Sequence, residues 1–127
     1  MRSYTVAVTS LAIDAPERWT DNVLCQFVIP GVISVRRGIA RKLPHAVVVR
    51  LAIIRQLNTS LGVGVGDAIR LTADLLRSEP VGVFESGQLK LVLNMRDVER
   101  SVDARLAAAL ESSPIRRRGR PPRRPGS

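Results

Sequence analysis

Residues 19–43 read WTDNVLCQFVIPGVISVRRGIARKL, and the rest of the chain is arranged around this stretch. Thr20 is the predicted N-cap of a short helix, Asp21–Phe27, because a threonine hydroxyl can accept a hydrogen bond from the first helical turn. Asn22 and Gln26 lie four residues apart and are predicted to share the exposed face of this helix. Asn and Gln pair with adenine in the major groove, so Thr20, Asn22 and Gln26 are candidate DNA contacts. Taken alone, the pattern fits ordinary solvated polar residues better, and the segment that follows shifts the balance toward DNA contacts.

A basic β-hairpin is predicted directly after this helix. The β-prone runs 32–35 and 39–43 flank Arg36-Arg37-Gly38, in which the glycine supplies the turn. Four cations make a buried hairpin unfavourable and suit a wing that lies along phosphates or enters a minor groove. An ordinary solvated hairpin is the alternative. The predicted wing cations are Arg36, Arg37, Arg41 and Lys42.

The net charge of +9 is unevenly distributed along the 127 residues. Residues 1–60 carry +5, residues 61–113 carry −2, and residues 114–127 carry +6 with no acidic residue. Two separate basic parts flanking a mildly acidic middle indicate a polyanionic partner, with double-stranded DNA as the first expectation. An RNA-binding protein would normally offer more stacking aromatics than the four in this chain.

Several other classes find no support in the residues. The single cysteine, Cys25, excludes an internal disulfide and a multi-cysteine zinc site. His45 has no Cys or His nearby, and the acidic residues are scattered, so neither an enzyme nor a cofactor or metal is expected. The N-terminus lacks a signal-peptide layout, and no apolar run approaches the length of a membrane span. A cytoplasmic, nucleoid-associated protein without a membrane or an evident small-molecule effector is the expectation.

Hydrophobic periodicity predicts a mainly α-helical α+β protein. The wide apolar face of 45–59 places that helix at the centre of the core, with Arg50 and Arg55 projecting outward. A second hairpin is expected from runs 81–84 and 89–94, joined by residues 85–88. The predicted helices outside the opening stretch are Val6–Asp14, His45–Thr59, Asp67–Arg77 and Met95–Glu111.

Residues 4–77 resemble the DNA-binding domain of MerR-type transcription regulators. The resemblance rests on Gly38 and Arg41 in the wing and on an Arg- and Leu/Ile-rich helix behind it. It implies a winged helix-turn-helix that regulates transcription and dimerises through a C-terminal helix. Two residues, rather than the usual one, separate the wing glycine from its arginine. The helix residues that carry the resemblance are Leu51, Ile54, Arg55 and Leu57, followed by Gly62 and the segment Ala68–Leu76.

Three regions are expected. Residues 1–78 form the winged helix-turn-helix, residues 79–113 a hairpin and helix for packing or oligomerisation, and residues 114–127 a disordered basic Arg/Pro tail. In the C-terminal helix an apolar residue recurs every four positions, which suits either a homodimer seam or packing on the chain's own core. The seam residues would be Val98, Val102, Leu106 and Leu110.

The tail contains the four residues of an AT-hook core, in which a glycine allows close approach to the minor groove and two arginines extend along it. A generic phosphate-binding tail is the alternative. The residues concerned are Arg118, Gly119, Arg120 and Pro121. The chain is therefore predicted to be a DNA-binding transcription regulator; an architectural chromosome-coating protein and a protein-interaction module, such as an antitoxin or a phage adaptor, are alternatives.

Overall fold

A computed structural model of the chain describes residues 2–32, 42–78 and 81–112. Five helices and two small antiparallel sheets make up this part, which confirms the predicted mainly helical α+β class. The elements, in chain order, are β1 Ser3–Tyr4, α1 Val6–Ala12, α2 Glu17–Gln26, β2 Leu43–Pro44, α3 His45–Leu61, α4 Val65–Leu76, β3 Val81–Ser86, β4 Leu89–Asn94 and α5 Met95–Ser112.

The second helix begins one turn earlier than the sequence predicted. Pro16 is its N-cap, with an extended backbone, and its carbonyl oxygen accepts hydrogen bonds from the amides of Trp19 and Thr20. Glu17 places a negative charge in the first turn, which suits the positive end of the helix. Thr20 is therefore not the N-cap but an interior residue of α2, and the prediction that the helix starts at Asp21 is wrong.

A left-handed glycine ends α3. Gly62 adopts φ +70°, a conformation that glycine reaches without a Cβ penalty. Asn58 closes the same corner, since its side-chain amide donates to the carbonyl oxygen of Val63 at 2.8 Å. The chain then enters α4 at Val65, two residues before the predicted start at Asp67. The predicted connector between the two helices is thus present but shorter.

The predicted second hairpin is present as β3 and β4. Its strands pair from Ser86 with Leu89 to Val81 with Asn94, so the turn has two residues instead of the predicted four. Gly87 opens that turn with φ +60°, as a two-residue loop of type II′ requires. β3 packs against α4.

The core runs through every helix of the described part and is centred on α3, as its wide apolar face predicted. α5 packs on α1 and α3. Val102 and Leu106 are each 3% exposed within the chain's own core, so the prediction that they form a dimer seam is wrong. Val98 packs partly buried against the same core, and only Leu110, at 41%, is an exposed member of the predicted seam. In the described residues, no helix combines the length and apolar character needed to cross a membrane.

Candidate nucleic-acid interface

The exposed face of α2 carries a row of polar side chains. Asn22 and Gln26 are both exposed, as predicted. Arg18 lies one turn before Asn22 and is exposed as well. Because the predicted helix began at Asp21, Arg18 was not among the predicted contacts. Pro16 was the signal that could have found it, since proline is favoured at the start of a helix. A polar row that spans just over two turns can present amides to base edges and a guanidinium to a phosphate.

Thr20 does not belong to this row. Its side chain is completely buried, and its Oγ1 accepts a hydrogen bond from the Ser10 hydroxyl at 2.7 Å. This contact joins α1 to α2 inside the helix pair, since Ser10 is only 2% exposed. The predicted DNA contact at Thr20 is therefore wrong; the residue fixes how α2 sits on α1.

Arg55 of α3 holds the turn between α1 and α2. Its Nε donates to the carbonyl oxygen of Asp14 at 3.1 Å, and its guanidinium lies 5.0 Å from the centre of the Trp19 ring. Asp14 adopts φ +57°, a left-handed conformation that is uncommon for a residue other than glycine. Arg55 is half-buried at the surface, so its predicted outward direction holds only in part. Its side chain packs on the α1–α2 turn and contacts Trp19 of α2.

The predicted wing lies mostly outside the described residues, including Arg36, Arg37 and Arg41. Its return end is described. Leu43 is completely buried, and β2 pairs with β1 in the register Tyr4–Leu43 and Ser3–Pro44. Lys42 is exposed just before this pairing. The N-terminal strand thus fixes the point at which the chain returns from residues 33–41, next to the start of α1.

Positive charge is concentrated outside the described residues. Eleven Arg and Lys against ten Asp and Glu leave the described part with a net charge of only +1. Residues 33–41 carry +3 and residues 113–127 carry +6, while residues 79–80 contribute −1. On α2 itself, Glu17 and Asp21 outweigh Arg18. The excess positive charge of the chain therefore lies in these two basic segments, while α2 offers hydrogen-bonding groups. Arg118, Gly119, Arg120 and Pro121 all lie in the second segment, outside the described residues.

Other chemistries find little support in the described ranges. Within residues 2–32, 42–78 and 81–112, no three His, Cys, Asp or Glu residues come together as metal ligands. His45 at the start of α3 contacts Asp103 of α5, with 2.6 Å between Nε2 and Oδ1. Cys25 is exposed on α2.

Comparison with protein-family models finds no matching family, and no curated protein matches the chain.

Proposed function

We propose that this protein binds double-stranded DNA through a MerR-like winged helix-turn-helix and regulates transcription. α2 enters the major groove, where Asn22 and Gln26 contact base edges and Arg18 contacts a phosphate. Residues 33–41 act as the wing, which follows the backbone or the minor groove. The tail adds a second contact along the minor groove. The wing cations are Arg36, Arg37, Arg41 and Lys42, and the tail contacts are Arg118 and Arg120.

The observation that carries this proposal is how the net charge divides along the chain. The described residues carry only +1 of the total of +9, and most of the remainder comes from two segments, residues 33–41, which follow α2 in the chain, and residues 113–127 at the C-terminus. Polyanions are bound by such segments because each phosphate contact releases counterions. The polar, almost uncharged row on α2 is suited to the complementary task, since base edges are read by hydrogen bonds rather than by charge.

A salt titration of duplex binding tests the electrostatic half of the proposal. We expect the full chain to bind a labelled duplex in fluorescence anisotropy, with affinity falling steeply as salt rises. Removing residues 113–127 deletes six arginines and should reduce the slope of log K against log salt by as much as about 5. A tail with its six arginines changed to lysine keeps the charge and is the matched control for length and charge. Failure of the full chain to bind duplex DNA at low salt would overturn the proposal.

A second titration tests sequence reading by α2. Asn22→Ala and Gln26→Ala remove exposed amides without disturbing the core, so the fold should be unaffected. On a DNA site selected for tight binding, each substitution should remove about 1–3 kcal/mol of the preference for the correct base at one base pair. Cys25→Ala, exposed on the same helix, is the matched control. Unchanged discrimination in both amide variants would contradict a reading role for α2.

The concentration of charge in these two segments also favours an alternative function. An architectural, chromosome-coating protein needs only phosphate contacts, which the two basic segments provide. Such a protein would show the steep salt slope without any preference among duplex sequences. The two amide substitutions would then leave binding to every duplex unchanged.

A further inference from the structure

An apolar groove runs beside the outer edge of β4. Its walls are α3 on one side and β4 on the other, and its volume is about 200 Å³. Leu61, near the mouth, is 60% exposed, although it is a large apolar residue at the end of α3. The apolar residues that line the groove are Ile53, Leu57, Leu61, Leu75, Leu91, Val92 and Leu93.

The edge of β4 beside this groove offers unpaired backbone groups. β4 pairs only with β3 among the described strands. A two-residue turn makes Ser86 and Leu89 a hydrogen-bonded pair, so alternate residues of β4, at 90, 92 and 94, direct their backbone groups away from β3. The same alternation is seen on β3. Val83, the partner of Val92, directs its amide away from β4, where it donates to the Ser78 hydroxyl at 3.0 Å. The Ser78 hydroxyl thus accepts one outward-facing hydrogen bond from β3, whereas no such side-chain contact to the outward-facing backbone of β4 is described.

The same strand also carries an apolar side chain that the fold leaves uncovered. Leu89 is 75% exposed and lies on the face of β4 that Leu91 and Leu93 turn toward the groove, since alternate residues of a strand share a face. A two-stranded hairpin is of marginal stability by itself, and an exposed edge with apolar residues invites a further strand. A groove and a projecting leucine on one strand are self-complementary under a two-fold axis, the symmetry of an isologous dimer.

We infer that β4 pairs antiparallel with β4 of a second copy of this chain, so that Leu89 of each copy covers the groove of the other. The register we propose keeps the two lysines apart. Placing Leu91 opposite its own copy sets Leu89 opposite Leu93 and Lys90 opposite Val92. Placing Lys90 opposite its own copy would bring two like charges together, which is destabilising.

Within its own hairpin, Lys90 already has a carboxylate partner in Glu85, at 3.7 Å. Because both side chains are more than half exposed, this ion pair offsets the charge of Lys90 only in part, so the lysine still disfavours a register that places it opposite its own copy. The resulting four-stranded sheet has β3 on its two outer sides. This dimer surface differs from the α5 seam that the sequence suggested, and it stands without reference to DNA, because oligomeric state is measured on the protein alone.

Sedimentation velocity over a range of concentrations tests the inference. The full chain should sediment at low concentration as a 13.9 kDa monomer and at high concentration as a dimer of twice that mass. Leu89→Glu places a charge against the second copy's Leu93 and should raise the dimer dissociation constant by at least about tenfold. Because Leu89 is largely exposed in the monomer, the variant should keep the fold, which circular dichroism checks. Leu110→Glu on α5 is the matched control and should leave the dimer intact.

Disulfide trapping tests the register independently. In a Cys25→Ser background, Leu91→Cys should form a covalent dimer on mild oxidation, because directly opposed residues bring their Cα atoms within disulfide reach. Two copies of Leu93→Cys would lie about 13 Å apart along the paired strands and should not cross-link. A chain that stays monomeric at every concentration overturns the inference and leaves the groove to a different partner or to none. Dissociation by Leu110→Glu, but not by Leu89→Glu, overturns it as well.

Discussion

The buried hydroxyl pair between α1 and α2 gives the sharpest test of how the two helices are held together. Ser10 donates to Thr20 at 2.7 Å, and both side chains are almost fully excluded from solvent. Thr20→Val keeps the shape of the side chain but leaves the Ser10 hydroxyl buried without this acceptor. An orphaned buried polar group costs about 1–3 kcal/mol, so the free energy of unfolding should fall by that amount.

A double-mutant cycle isolates the interaction. Ser10→Ala alone should also destabilise the protein, because it leaves the Thr20 oxygen without its donor. The double variant Ser10→Ala/Thr20→Val removes both hydroxyls together and should be less destabilised than the sum of the single variants by at least about 1 kcal/mol. Urea unfolding followed by circular dichroism supplies the four free energies. Thr59→Val, an exposed threonine on α3, is the matched control, with a change within about 0.5 kcal/mol.

The same variants separate the buried role of Thr20 from a DNA contact. A residue that only fixes the packing of α2 should change stability and leave the salt slope of duplex binding as it was. Strict additivity of the two substitutions in urea would refute the reasoning about the hydroxyl pair. A Thr20→Val variant of normal stability that binds DNA poorly would restore Thr20 to the DNA-contacting face.

Three further substitutions have expected effects on the free energy of unfolding in urea. Thr9→Val should raise it by about 1 kcal/mol or more, because the Thr9 hydroxyl is buried without a hydrogen-bond partner among the described residues. Gly82→Ala should lower it by about 1–3 kcal/mol, because a Cβ at this position would stand 2.8 Å from the backbone oxygen of Leu75. Arg55→Lys should lower it by about 1–2 kcal/mol, because lysine keeps the charge but loses both the Nε hydrogen bond and the planar contact with Trp19.

The substitutions of Gly82 and Arg55 each have a control. Gly66→Ala, inside α4 with only ordinary contacts around the added Cβ, should raise stability where Gly82→Ala lowers it. Arg100→Lys, on an exposed surface ion pair of α5, should change stability by less than about 1 kcal/mol. Equal effects of Arg55→Lys and Arg100→Lys would mean that the contacts of Arg55 with the α1–α2 turn contribute nothing.

Local signals in the sequence accounted for much of the fold. The apolar face of α3 predicted its place at the centre of the core, because burial on that scale leaves no other position for the helix. The hairpin β3–β4 followed from two β-prone runs around Gly87, and the exposed amides Asn22 and Gln26 followed from helical spacing. Each of these features depends on residues within one or two turns of the chain, where periodicity and turn chemistry are sufficient.

Features that depend on residues distant in sequence were decided only by the tertiary structure. Thr20 carries the same chemistry in an N-cap as in a buried pair, and only the approach of α1 makes it the partner of Ser10. From the sequence alone Arg55 is expected to be solvated, and only the folded chain brings Asp14 and Trp19 beside it. The apolar residues of α5 suit a dimer seam or an internal core equally, because periodicity records only that a face is buried and not which surface buries it. The sequence by itself determined which faces must be covered, and the packing of the helices determined what covers them.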